Sequence, residues 1–355
     1  MRSTRSLSRW APESMRLKQV AAAFGATLLL GGGLLALGCQ SSALASGKLY
    51  IKQQKYDQAR EQLELAVEAE PANAEAHFQL GRICGLQGDY VELARAYDRA
   101  QELSADYDAQ IAEERLHYWS RIYNDGVRAA SGQGADLVTA RRHFSTAVQV
   151  LPERLKAWRN LSAVDYQLGN IDDALAGYQH VLAAAPEDTS TARVMGVIYL
   201  NAQRYEEAVA SFEHVLQYGE HHGVLINLAI TQMDKGESAA ATESLQRALA
   251  LEPDCFTCHY NLGNLYWATE DHENARSNFE RAVALKPGDL DARFNLAITY
   301  LALEELDSAL PLLESLSEER PDDGVVWREL GRIYALTARI ADSEAAYARA
   351  ESLGQ

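Results

Sequence analysis

Basic residues are in short supply: 33 Lys and Arg stand against 50 Asp and Glu in 355 residues, a net charge of −17. Residues 1–38 hold five of the basic residues and a single acid, so the rest of the chain carries 28 basic and 49 acidic residues, a net −21. A chain this acidic lacks the basic footprint that nucleic acid requires and has no electrostatic reason to dock on anionic lipid. Its charge fits a solvated acidic surface and is compatible with a basic partner. Other absences narrow the function. No nucleophile elbow, phosphate-binding loop or metalloprotease pattern occurs, and scattered carboxylates are not evidence of acid–base chemistry. The sequence reads as a non-enzyme. No low-complexity linker of any length appears. Proline is scarce too, with eight in the chain, but its placement is informative.

Pro152 and Pro186 are 34 residues apart, as are Pro253, Pro287 and Pro321, and the gap from Pro186 to Pro253 is 67, two periods less one residue. A fixed period in this range marks a stacked array of helical units. With these prolines at position 32, position 20 reads Ala59, Leu93, Ala140, Ala174, Ala208, Ala241, Ala275, Ala309 and Ser343. Position 8 is small (Gly47, Gly81, Ser162, Gly196, Ala229, Gly263, Ala297, Gly331) and position 24 bulky (Leu63, Tyr97, Phe144, Tyr178, Phe212, Leu245, Phe279, Leu313, Tyr347). Position 27 is Ala66, Ala100, Ala147, Val181, Val215, Ala248, Ala282, Leu316 and Ala350. Positions 20, 24 and 27 share one stripe of a helix. Small residues at 8 and 20 let two antiparallel helices approach closely, and the large residue at 24 fills the space beside them. The proline stops the second helix. Each helix pair leaves an apolar face that only the next pair can bury.

These residues resemble the tetratricopeptide repeat (TPR) family. The seventh unit carries Leu262, Gly263, Tyr266, Ala275, Phe279, Ala282 and Pro287 at the family's signature places, and the ninth carries Trp327, Leu330, Gly331, Tyr334, Tyr347 and Ala350. The resemblance implies an all-α protein, an α-solenoid superhelix of about nine stacked helix-turn-helix units that binds other proteins. Residues 39–104 form units one and two, and 155–355 form units four to nine. Residues 105–154 form an irregular third unit, with a long first helix around Ile111–Ala130 and a Gly-rich loop over Ser131–Ala135. There, Gly126 to Ala140 is two residues longer than the usual spacing.

In this family, positions 2, 5, 6, 9, 12 and 13 of the first helix face a concave groove. Position 6 of units four to eight reads Asn160, Val194, Asn227, Asn261 and Asn295. An asparagine amide donates and accepts at once, so a row of them can pair with any extended peptide backbone. The row is similar to the asparagine ladder in the repeat region of O-linked N-acetylglucosamine transferases. Tyr260, Asn264, Trp267, Arg293 and Phe294 lie around it and would form pockets for peptide side chains. The other reading is that these asparagines solvate the groove or bond between adjacent repeats. The lysines and arginines with which some family members clamp a peptide's C-terminal carboxylate are missing: Thr257, Tyr260, Asp291, Phe294, Val325 and Glu329 stand at such places in units seven to nine.

The N-terminus reads as an address. Residues 1–18 are basic, Val20–Leu37 carries no charge, and Leu35-Ala-Leu-Gly-Cys39 follows, the three-part pattern of a secretory signal. The segment resembles a bacterial lipoprotein signal, with Cys39 as the lipidated first residue of the mature protein and 1–38 as its leader. An uncleaved membrane helix is the alternative, since eighteen apolar residues are just at the spanning length. Either arrangement places the repeats outside the cytoplasm, lipid-anchored and facing the periplasm or the cell surface. By the family's sorting pattern, Gln40 in place of aspartate favours the outer membrane. The partners expected there are envelope proteins or peptides, in support of assembling an envelope complex.

Cys255-Phe-Thr-Cys258-His259 matches the C-x-x-C-H pattern of c-type haem attachment, which would make the protein an electron carrier. A local disulfide between Cys255 and Cys258 suits an oxidising compartment better, and inert reduced cysteines are a third possibility. No cofactor is expected. Nor is a metal site: structural zinc takes four ligands and only three cluster here, while His221-His222 reads as a surface turn. Cys84 falls at a core position. A structural spacer that self-assembles through its end repeats is the remaining functional alternative.

Overall fold

A computed structural model describes residues 42–355. The expected leader over 1–38 and the lipidation site Cys39 lie outside the described residues. Among the described residues every regular element is helical. In order they are α1 (Ser42–Lys52), α2 (Tyr56–Ala69), α3 (Ala74–Gln87), α4 (Tyr90–Leu103), a short 3-10 helix (Ala105–Tyr107), α5 (Asp108–Ala129), α6 (Leu137–Val150), α7 (Leu155–Gln167), α8 (Ile171–Ala184) and α9 (Thr189–Asn201). They continue with α10 (Tyr205–Leu216), α11 (His222–Asp234), α12 (Ser238–Leu251), α13 (Phe256–Ala268), α14 (His272–Leu285), α15 (Leu290–Ala302), α16 (Leu306–Glu319), α17 (Gly324–Leu336) and α18 (Ile340–Ser352).

The chain divides into two compact units. One holds the described residues through Ser120 with Gln149–Leu151, the other Arg121–Val148 with Pro152–Gln355. Each is a stack of helix pairs. In the first, α1 packs on α2 and α3 on α4; in the second, α7 pairs with α8, and the pattern repeats to α17 with α18.

One contact recurs in six of the nine helix pairs. The glycine at position 8 lies directly under the large side chain at position 24. A Cβ at Gly196 would come within 2.5 Å of the Phe212 ring, and one at Gly263 within 2.6 Å of Phe279. Both rings are almost wholly buried. The third unit keeps this contact despite its longer connection: Gly126 would meet Phe144 at 2.8 Å, although 18 residues separate the two, against 16 from Gly263 to Phe279. The extra residues are taken up in the turn before α6, so the packing register survives. In the fourth unit position 8 is Ser162, and the room comes from the other helix, where Gly177 faces its hydroxyl.

The ends of the helices are set by local chemistry. Proline keeps the residue before it out of the helical region, and Ala185 (φ −141°, ψ 79°), Glu252 (−138°, 92°) and Lys286 (−136°, 81°) duly close α8, α12 and α14. The next helix then opens on a side-chain cap. Asn73, Asp188 and Asp289 accept from the backbone N–H of Ala76, Thr191 and Ala292. Before α13 the cap is a cysteine, with Cys255 Sγ accepting from Cys258 N–H at 3.0 Å. Between the two helices of a pair, position 15 is left-handed. Gly88, Gly169 and Gly236 occupy it in three units, but Gln203, Glu270, Glu304 and Ala338 hold it in others at φ 57° to 61°.

Two substitutions test this packing in opposite directions. Gly263→Ala drives a methyl into the Phe279 ring and is expected to lose on the order of 1–3 kcal/mol. Glu304→Gly relieves the left-handed strain and is expected to gain about 1 kcal/mol. The check is the urea midpoint of each variant against the parent.

Candidate functional site

In the second unit the first helices of successive repeats adjoin, α9 with α11 and α15 with α17. Residues about one repeat apart can therefore meet through their side chains. Asn160 Nδ2 donates to Tyr123 Oη at 3.0 Å, and Asn201 Nδ2 donates to Tyr166 Oη at 3.1 Å. Asn295 Nδ2 donates to Tyr260 Oη at 3.4 Å and to Asn264 Oδ1 at 3.0 Å.

The asparagine row is thus of two kinds. Asn160 and Asn295 tie their helix to the first helix of the preceding repeat. Asn227 and Asn261 are half-buried, and among the described residues neither side-chain amide has a hydrogen-bond partner; Asn227 is engaged only through its backbone carbonyl, which accepts from Thr231 Oγ1 at 2.7 Å. These two amides lie on the first helices of repeats six and seven.

The aromatic residues lie close by. The Tyr260 ring stacks on Phe256 at 5.8 Å and meets Phe279 edge-on at 6.2 Å. Trp267 lies 4.7 Å from the His272 ring and packs with Tyr260 against the Phe279 core. Phe294 packs against the core of the last two repeats. All three expose part of their surface. Arg293 has a different role from the one expected. It sits one residue before the groove positions, and its guanidinium is taken up by Ser315 Oγ (2.9 Å) and Glu319 (2.7 Å) on α16 of its own repeat. That contact holds the carboxyl of Glu319 below its usual range.

The sequence reading passed over the apolar members of this face. Val194, Val197, Ile226, Ile230, Met233 and Ile298 are half-buried on α9, α11 and α15. Their steps of three and four residues, as in Ile226, Ile230 and Met233, were the available signal. With Tyr260, Trp267 and Phe294 they make a surface that is apolar, partly open and supplied with a few amides, the usual composition of a recognition site.

A second cluster lies where repeats six and seven meet. Cys255 and Cys258 are disulfide-bonded at the start of α13, and both are buried. His222, the first residue of α11, places Nε2 3.8 Å from Cys258 Sγ, and its Nδ1 lies 3.2 Å from Glu252 Oε2. The expected surface turn describes His221, which is exposed, but not His222. His222 stands about one period before Cys258, and stacking brings residues so spaced together. His259 faces elsewhere, with Nδ1 3.0 Å from Asn278 Oδ1 and Nε2 3.1 Å from the Pro253 carbonyl. These residues do not fit a c-type haem: the sulfurs are bonded to each other beneath the stack, and both nitrogens of the histidine that would ligate iron are engaged. Cys84 is buried, which together with nearby carboxylates pushes its thiol up to about 12 against the opposing pull of Arg60. It is an inert core residue.

No helix among the described residues is long and apolar enough to cross a membrane. Two family models, both described as tetratricopeptide repeat, match the chain, one over residues 266–333 and the other over 44–108, 164–219 and 226–289. Together they cover more than half of it. Curated relatives include the BBSome complex member BBS4 homolog of Drosophila melanogaster, 24% identical over 226 residues, which are 63% of this chain and 44% of that protein. Another is the tetratricopeptide repeat-containing protein trd-1 of Caenorhabditis elegans, 24% identical over 234 residues, 63% of this chain and 28% of that protein. The chain spans less than half the length of these relatives. Among solved structures, MamA is 23% identical with a TM-score of 0.45, over 48% of this chain and 94% of that one. YrrB, titled a TPR protein with an unusual peptide-binding site, is 23% identical with a TM-score of 0.46, over 52% and 95%.

The two kinds of asparagine are separable by mutation. Asn295→Ala removes both cross-repeat bonds and is expected to cost about 1 kcal/mol. Asn261→Ala breaks no internal bond and should change stability by less than about 0.5 kcal/mol. Paired urea melts of the two variants measure the difference.

Proposed function

Because the chain belongs to the tetratricopeptide-repeat family, whose repeats generally mediate protein–protein interaction, we propose that it is a non-enzymatic adaptor that binds extended segments of other proteins on the first helices of repeats five to eight. The observation that carries this reading is the face built by α9, α11, α13 and α15. Its apolar side chains stay partly open to solvent, and the amides of Asn227 and Asn261 have no partner within the described residues. An unpaired amide beside apolar pockets favours a ligand that offers backbone N–H and C=O groups at regular intervals and side chains between them.

The reading extends to location. The basic, apolar and Gly-Cys39 pattern of the N-terminus supports a lipid-anchored protein outside the cytoplasm, and the Cys255–Cys258 disulfide is of a kind that persists in an oxidising compartment. The partners are then proteins of the cell envelope, and the role is to hold them together during assembly of a complex. The Drosophila melanogaster relative is named as a member of a complex, which is compatible with this role.

The test is in-cell crosslinking and capture with the parent, with the Asn227→Ala/Asn261→Ala double variant and with Asn295→Ala. The double variant should keep its stability yet lose most of the captured envelope proteins. Full capture by a folded double variant would show that this face is not the working surface.

A further inference from the structure

The cluster formed by His222, Cys255 and Cys258 has no part in the proposed binding face. Its ligand-type atoms, one nitrogen and two sulfurs, all lie within 4.8 Å of one another. In tetrahedral zinc sites, with Zn–S about 2.3 Å and Zn–N about 2.0 Å, ligand atoms sit roughly 3.5–3.8 Å apart; His222 Nε2 is already 3.8 Å from Cys258 Sγ. We infer that this cluster is a redox-gated metal site: once the Cys255–Cys258 disulfide is reduced, the two sulfurs and His222 Nε2 bind one thiophilic divalent ion of the zinc type, with solvent as the fourth ligand.

Four features of the site fit that use. Glu252 Oε2 lies 3.2 Å from Nδ1, placed to accept a hydrogen bond from that nitrogen in the tautomer whose Nε2 lone pair faces the sulfurs. This carboxylate–histidine arrangement is the usual support of a metal-bound imidazole. The backbone N–H of Cys258 donates to Cys255 Sγ at the start of α13, where a helix N-terminus favours the thiolate. Cys255 and Cys258 are 5% and 0% exposed, and the cluster opens to solvent on the His222 side, whose side chain is 26% exposed. Finally, two thiolates and a neutral imidazole make a neutral site with a divalent ion, which lowers the cost of burying them.

The chemistry balances. A dithiol reductant gives two electrons and two protons to the disulfide and closes to its own disulfide. The two new thiols then release their protons as their sulfurs bond to the ion. In the reverse direction a disulfide oxidant takes two electrons from the two thiolates, is itself reduced to its dithiol with two protons from water, and the ion is released as the Cys255–Cys258 bond re-forms. In its oxidised state the site is a staple between α13 and its cap.

Cobalt(II) is the probe, added to the full chain after reduction with a phosphine, which ends as the phosphine oxide with oxygen drawn from water. The reduced parent should take up one ion per chain, with thiolate-to-cobalt charge transfer and tetrahedral visible bands that zinc abolishes. The oxidised parent should show neither. Glu252→Gln should weaken the affinity by about 10- to 100-fold, and His222→Phe should weaken it further and alter the visible bands. The Cys255→Ser/Cys258→Ser variant, which keeps Cys39 and Cys84, is the control. Binding no tighter than in this control overturns the proposal, as does an unchanged spectrum in His222→Phe. Circular dichroism follows the fold throughout; loss of helix on reduction of the parent also overturns it, because the site then does not exist in the reduced state.

Discussion

A small residue under a large one sets the distance between the two helices of a repeat, and in five repeats it is a glycine under an aromatic ring. Where Gly196, Gly263 or Gly126 faces Phe212, Phe279 or Phe144, a Cβ would come within 3 Å of the ring, so these pairs close on a contact that a larger residue would disturb, while Ser162, Ala229 and Ala297 hold the same position in the others. The buried alanines at positions 20 and 27 follow from the same close approach. Because the contact recurs, each first helix comes to stand beside the next at a regular step. The third unit shows how strongly it is retained: its connection is longer, yet the Gly126–Phe144 contact is kept and the surplus is absorbed in the turn.

Both candidate sites follow from that step. Residues one period apart become neighbours, so Tyr123 reaches Asn160 and Tyr260 reaches Asn295. The same step delivers His222 to Cys258. Where the neighbour supplies a hydroxyl or an amide, the asparagine is consumed in holding the stack. Where it does not, as at Asn227 and Asn261, the amide makes no hydrogen bond among the described residues, which is the basis of the proposed binding face.

The fold was legible in the sequence because its determinants are local and repeated. Proline at position 32, small residues at 8 and 20 and a bulky one at 24 each have a single steric purpose, and the structure uses them for it. The site was less legible. Residue type and helix position place Asn160 and Asn295 in the same row as Asn227 and Asn261, but the difference between them lies in a partner about one period away on the first helix of the preceding repeat. Arg293 looked like part of the groove by its proximity to Phe294, yet one step along a helix rotates a side chain by about 100°, and it meets Glu319 instead. His222 was passed over because its relation to the cysteines appears only after the repeats are stacked. The half-open apolar residues were visible as a pattern, though their exposure was not.

The central claim is that partners bind across the first helices of repeats five to eight. A photo-crosslinking amino acid placed at Ile230, half-buried on α11, and separately at Glu243, exposed on α12, tests it most directly in cells. The account predicts discrete crosslinks to envelope proteins from position 230 and none from position 243. Crosslinks from 243 alone, or equally from both, would contradict it.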